Sequence, residues 1–368
     1  MKYIVSLFLT VLLLPVCVNA LEISAQSGVL YEPVSGRVIF EKNKDEKRGM
    51  ASTTKIVTAI TALENGNLND IVTVSKKAAD VEGSSVWLEE GEKQTLYNLL
   101  YGLMLSSGND AAIAIAEHIS EDTEKFALLM NETAQKAGAK KSSFKNPNGL
   151  DEEGHFTTAY DLAKITAYAM ENEQFREIVK TKKKTIPWEN HQWDRTLKNH
   201  NKLLTLYEGA DGVKTGFTKK CGRCLVSSAV KNGTRLIAVT LNAPNDWDDH
   251  TKMLDWGFEN LKSIQVVKKD EILSEMFVEN GTENTVTLLA EKDIHLPLLK
   301  NDKVEVKLNV TKEIKAPISA GQMLGFAEIY LNEKKVEEVR LVSANNVEIL
   351  YIPTIWDNFN LLLSLLLV

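Results

Sequence analysis

Cysteine is scarce in this chain: three in 368 residues. Cys17 falls within an apolar N-terminal stretch, which leaves Cys221 and Cys224 as a lone Cys-x-x-Cys pair. A structural zinc site needs four ligands, and neither a second cysteine pair nor a histidine pair accompanies this one. A thioredoxin-like context is also missing. Two small buried thiols, or a local disulfide in an oxidising compartment, are the readings left open. Excess positive charge is lacking too. Lysine and arginine number 43 against 50 aspartates and glutamates, a net charge of −7, so there is no basic face for nucleic acid. The cluster Lys182–Lys184 is short and reads as solvated surface. Nor is there an apolar run long enough for a spanning helix in the C-terminal half. From Trp356 to Val368 there are 13 residues, with Asp357 and two asparagines near the start, against the roughly 20 that a span requires.

The N-terminus carries a different signal. Lys2 supplies a positive start, Ile4–Val18 an apolar stretch, and Val18-Asn19-Ala20 small residues where a signal peptidase cuts. Residues 1–20 therefore read as an export signal cleaved after Ala20, with an uncleaved anchor as the alternative. A lipoprotein box at Leu14-Pro15-Val16-Cys17 fails because Val16 is too bulky. At the other end, Leu361–Val368 is apolar on every side, behind interfacial aromatics at Trp356 and Phe359. Residues 353–368 read as a segment lying in a membrane surface, or as a tail folded back on the preceding domain.

Between these ends the chain divides by texture. Strands are expected at Glu22–Tyr31 and onward to Glu41, then a helix opening near Ser52 and stopping at Gly66. Helical apolar spacing recurs around Leu96–Met104, Ala111–Ile119, Phe126–Ala137 and Tyr160–Met170. Strands Leu225–Lys231 and Arg235–Asn242 flank Asn232-Gly233, a tight-hairpin signal, and a last helix is expected at Asp249–Leu261. From about residue 263 short alternating runs such as Val304–Val310 and Val336–Val342 are separated by turn residues. They predict a small antiparallel β domain over 263–352, after a mixed α/β domain over 21–262.

Three short elements carry chemistry. Ser52-Thr53-Thr54-Lys55 puts a serine and a lysine on one helical face, so the amine reaches the hydroxyl. Serine needs such a base, and lysine serves as one only when burial or another cation depresses its pKa. Ser107-Gly108-Asn109, after a helix ending at Leu105, offers a hydroxyl to relay a proton and an amide to hold a peptide group. Lys214-Thr215-Gly216, expected to open a strand, offers a cation, a hydroxyl and a glycine that permits close approach. Singly each is weak: Ser142-Ser143-Phe144-Lys145 mimics the first and Ser343-Ala344-Asn345 the second. The specific signal is the order, a helix start, a loop 55 residues on and a strand 107 further.

This trio resembles the signature of penicillin-binding proteins and class A β-lactamases. Met50-Ala51, Asn146-Pro147-Asn148-Gly149-Leu150, His155 and Thr158–Ala163 narrow the resemblance to the D-alanyl-D-alanine carboxypeptidases. The resemblance implies an α+β, β-lactamase-like transpeptidase domain with an antiparallel sheet and a helical block, followed by a small all-β domain. It implies an enzyme exported to the outer face of the cytoplasmic membrane, which acylates Ser52 with a peptidoglycan stem peptide and is blocked covalently by β-lactams. Lys55 would be the base, Ser107 and Lys214 the proton path, and Asn109 the holder of the substrate amide. Thr215 would bind the terminal carboxylate, and Gly216 would let substrate approach the backbone. The N–H groups of Ser52 and Phe217 would form the oxyanion hole. No metal or cofactor is implied. Some relatives carry an arginine ahead of the Trp-Gly-Phe that here is Trp256-Gly257-Phe258, where this chain has Asn245–Asp249; Arg223 is the alternative cation. The rival readings are a serine β-lactamase, with Glu152 or Glu153 activating water, and a penicillin-binding scaffold without turnover.

Overall fold

The computed structural model describes residues 21–189, 191–310 and 313–351; the expected export signal and membrane-surface segment lie outside these. Five antiparallel strands form the first sheet, in the order Arg37–Lys42, Ser27–Glu32, Thr234–Leu241, Gly222–Lys231, Ala210–Thr218. The first two strands thus sit beside the last three, and most of the chain between them in sequence packs on one face, with Leu203 and Tyr207 reaching the other. The central strand TRLIAVTL is almost wholly buried because both faces are covered.

Alternation along the strands divides the packing. Val29, Val226 and Val239 point into a large core shared with the helices Lys55–Asn65, Leu96–Leu105, Asn109–Ser120 and Ala159–Ala169. Leu30, Leu225 and Ala238 point the other way, onto Met253 and Leu254 of the helix Asp246–Asn260. That helix begins three residues earlier than its apolar pattern predicts, because the acidic run at its start suits a helix N-terminus. Asp249 accepts hydrogen bonds from the Ser24 amide, the Ser24 hydroxyl and the Ala25 amide, at 2.7, 2.8 and 2.9 Å. Beside it His250 is fully buried between Ser227 Oγ (2.6 Å) and Thr240 Oγ1 (2.9 Å).

The second unit carries a six-stranded sheet and its own core of Val286, Leu288, Leu296, Ile329 and Leu341. Its strands are antiparallel except for one parallel pairing of Ile272–Glu279 with Ile314–Lys315. Arg37 tethers it to the first sheet, donating to Asp302 Oδ2 at 2.6 Å and to the Pro297 carbonyl at 2.7 Å.

His250 yields a pH test. Burial drives its pKa down to about 3, against 6.5 for a free imidazole. The unfolded chain therefore binds the extra proton between those values. The stabilising contribution is complete above pH 6.5 and drains as pH falls toward 3. Between pH 7 and pH 5 this one side chain accounts for about 2 kcal/mol. In His250→Gln the fall in unfolding free energy over that interval, measured with denaturant, shrinks by about that amount; an unchanged fall refutes the account.

Candidate active site

The site is built from the end of one turn, the start of two helices and the middle of a strand. Ser52 lies in the 3-10 turn Ala51–Thr54, and the α-helix proper begins at Lys55. The turn is held from inside by Thr53, whose hydroxyl donates to the Met50 carbonyl at 2.6 Å. Ala51 adopts a left-handed backbone, φ 47°. Its carbonyl presses so closely on Gly149 that a Cβ there would lie 2.1 Å away. Only glycine allows the 146–150 loop to seat beneath the turn that carries Ser52.

Lys55 is wholly buried. Its Nζ lies 3.0 Å from Ser52 Oγ, 2.7 Å from Asn109 Oδ1 and 2.6 Å from the Asn148 carbonyl. None of these partners is a carboxylate. Burial holds the ammonium's pKa well below its ordinary value, and the charge of Lys214 adds to the effect, with Asp110 opposing it. As a neutral amine, Lys55 has two N–H bonds for the two carbonyl acceptors. The lone pair is then left for Ser52, whose O–H donates into it.

Asn109 is fixed as firmly. Its side-chain Nδ2 donates to the Glu82 carbonyl at 2.6 Å and its backbone N–H to the Ser84 carbonyl at 2.7 Å. Buried Asp110, one residue on, accepts from the amides of Val86 (2.9 Å) and Leu88 (3.1 Å) and from Ser85 Oγ (2.6 Å). The 82–88 loop thereby becomes a rigid wall of the site. Ser107 sits between two helices with φ 62°, and its hydroxyl has no partner among the described residues.

Lys214-Thr215-Gly216 does not open its strand, as the flanking Asp211-Gly212 predicts, but lies at the middle of Ala210–Thr218. Pairing with Gly222–Lys231 extends the strand in both directions. A Cβ on Gly216 would lie 3.0 Å from the amide nitrogens of both Ser52 and Thr53. The strand therefore runs against the turn that carries Ser52, with Phe217 next along it. Lys214 is buried, and burial lowers its pKa to about 7; its Nζ donates to the Thr215 carbonyl at 2.9 Å.

Ser52, Ser107, Thr215, Gly216 and Phe217 line one cleft of about 370 Å³, together with Ser84, His200, Lys202, Arg223, Asp246 and Trp247. Lys55, Asn109 and Lys214 lie directly behind its wall. Arg223 is turned toward the cleft by Asp246, which accepts its Nε at 3.0 Å and its Nη2 at 2.9 Å. Asp246 is the only carboxylate lining the cleft among the described residues. Glu152 and Glu153 line a separate, larger hollow of about 610 Å³ on the far side of the Ala51 turn. The sequence mimics stay apart: Ser142 is bonded to Thr157 and Asp161, and Ser343 to Asn345 in the second unit. Cys221 and Cys224 are buried free thiols, the first of the two readings left open by sequence. Sequence reasoning did not single out Asp110, the Asn148 carbonyl as an acceptor, or the 82–88 loop. Asp110 sits one residue after the second motif, but its role depends on amides of a distant segment.

A family model described as D-alanyl-D-alanine carboxypeptidase matches residues 15–245, and one described as penicillin-binding protein 5, C-terminal domain, matches residues 261–349. The chain is 36% identical over 312 residues to the D-alanyl-D-alanine carboxypeptidase DacF of Bacillus subtilis, covering 82% of this chain and 80% of that protein. It is 33% identical over 350 residues to DacC of Escherichia coli, covering 90% and 86%. Among solved structures, penicillin-binding protein 5 from Haemophilus influenzae superposes with a TM-score of 0.68 at 29% identity, over 90% of this chain and 99% of that one.

The two lysines are separable by substitution. Arginine keeps the charge but cannot give up its proton, so Lys55→Arg is expected to slow acylation of Ser52 by 10²-fold or more, the scale of a lost general base. Lys214→Arg keeps a measurable fraction of the rate. Stopped-flow acylation with a chromogenic β-lactam measures both; equal, parent-like rates refute the division of roles.

Proposed function

The chain belongs to the D-alanyl-D-alanine carboxypeptidase family of serine peptidases, and we propose that Ser52 is the nucleophile through which it removes the terminal D-alanine of the peptidoglycan stem. The observation that carries this reading is the 3.0 Å approach of a buried lysine without a carboxylate partner to a serine hydroxyl.

Ser52 Oγ adds to the carbonyl between the two D-alanines as its proton passes to Lys55. The amides of Ser52 and Phe217 take the developing oxyanion, where fixed donors cost no reorganisation. The C–N bond then breaks, and the leaving amine receives a proton along Lys55, Ser107 and Lys214. Free D-alanine departs, leaving the stem esterified to Ser52. Water attacks that ester, Lys55 takes its proton, and the serine is restored. Asn109 holds the amide on the stem side of the scissile bond. Thr215 meets the terminal carboxylate at the opposite side, with the Arg223 guanidinium, aimed by Asp246, as the facing cation. A β-lactam enters the same ester by opening its ring. With no glutamate lining this cleft among the described residues, the β-lactamase reading lacks the group that would activate its water.

The same reading assigns residues 1–20 to export, 21–262 to catalysis, 263–352 to a spacer and 353–368 to attachment at the outer membrane surface. Among the described residues no helix is long and apolar enough to cross a membrane.

Two outcomes test this reading. Intact-mass analysis after penicillin treatment yields one adduct, mapped to Ser52 and lost in Ser52→Ala, with D-alanine release from a pentapeptide far faster than penicillin hydrolysis. Labelling on Ser142, or penicillin hydrolysed as fast as the peptide, overturns it. Separately, truncation after Pro353 moves active enzyme from the membrane pellet to the soluble fraction with hydrolysis of a soluble peptide unchanged; a truncated chain that still pellets contradicts the attachment.

A further inference from the structure

The irregular loop from Glu82 to Leu88 separates two hollows. Ser84 lines the cleft of Ser52. Gly83, Ser85, Trp87 and Leu88 line a second hollow of about 410 Å³, with Trp188 and Glu89. Trp87 is unusual on two counts. Its side chain is 72% exposed, and its backbone is left-handed, φ 62°, a conformation that residues with large side chains rarely adopt. The conformation is over-determined from outside. The Trp87 amide donates to Ser85 Oγ at 2.8 Å, and its carbonyl accepts from Arg195 Nη2 at 2.8 Å. Arg195 is itself buried, bonded to both oxygens of Glu92 at 2.8 and 3.0 Å, with its guanidinium 4.5 Å from the centre of the Trp188 ring. The loop thus spends backbone strain to hold an indole in water, where it contributes nothing to the core. Such an outlier points to a ligand.

The direction of the substrate identifies the ligand. On the reading above, on which this inference rests, Asn109 holds the stem side of the scissile bond and Thr215 with Arg223 the terminal carboxylate. The stem therefore leaves the cleft over Asn109, and Asn109 is bonded to the Glu82 and Ser84 carbonyls of this same loop. An extended stem of four residues reaches about 13 Å and ends on a sugar of the peptidoglycan strand. Sugar rings present flat C–H faces edged with hydroxyls. Their complement is an aromatic plane with polar groups beside it: the exposed Trp87 indole with Glu89, while Trp188, its ring packed by His191 and Arg195, lines the hollow's wall.

We propose that this hollow is a saccharide subsite, with Trp87 as its stacking platform, that makes the enzyme prefer stem peptides still attached to their sugar. The test compares the full chain and Trp87→Ala on a free pentapeptide and on the same pentapeptide carried by its disaccharide. Parent enzyme is expected to favour the disaccharide substrate. The substitution raises KM for that substrate about five- to twentyfold at constant kcat, Trp87→Phe recovers most of the loss, and the free pentapeptide is turned over within twofold of the parent. No preference in the parent, or an equal loss on both substrates, overturns the subsite while leaving the carboxypeptidase reading intact. If neither substrate releases D-alanine, it is the function reading that fails. The subsite is then decided by calorimetric titration with the peptide-free disaccharide. Binding lost in Trp87→Ala upholds it; absent or equal binding overturns it.

Discussion

An amine with no counter-charge, sealed inside the protein beside a serine, is the constraint around which this molecule is arranged. A buried ammonium without a carboxylate is expensive, and Lys55 meets that cost by losing its proton more readily than a free lysine. Its two carbonyl acceptors come from separate segments, Asn109 and Asn148. Each is braced in turn: Asn109 by the Glu82 and Ser84 carbonyls, the Asn148 loop by the seat that Gly149 finds under Ala51. A carboxylate at either position would pin the proton on the lysine and leave Ser52 without a base.

The sheet supplies the other half of the arrangement. Its first two strands come from the start of the first unit and its last three from the end, and the long helices between them stack on one face. The turn carrying Ser52 follows the second strand and abuts Ala210–Thr218. Ser52 and the two lysines therefore sit on a braced turn, a helix start and a paired strand, which suits a site that holds its geometry without reorganising. Lys214, also buried, sits close enough that its charge, when protonated, depresses Lys55 further.

Two departures from sequence expectation share one cause. The Lys-Thr-Gly segment looked like a strand opening because Asp211-Gly212 precedes it, yet pairing with Gly222–Lys231 runs through both residue types. One parallel pairing in the second unit joins strands that alternation alone marks as equivalent. In each case long-range partners decided what local pattern left open.

Read alone, the chain of residues determined the longer helices and the Asn232-Gly233 hairpin of the first unit, the division into two textures, and the trio Ser52–Lys55, Ser107–Asn109 and Lys214–Gly216; the short strands and helices between residues 71 and 95 and between 173 and 206 were left unmarked. Apolar periodicity and short-range spacing are local properties, and motifs of three or four residues survive without knowledge of their surroundings. Only the tertiary structure decided which serine of two look-alike motifs lines a cleft with a buried lysine behind it, that Asp246 aims Arg223 into it, that Asp110 stiffens a loop two dozen residues earlier, and that Trp87 is held out in solvent beside it. Those facts depend on burial and on hydrogen bonds between segments far apart in sequence. A side chain's pKa, its orientation and its access to substrate are set by whatever folds against it.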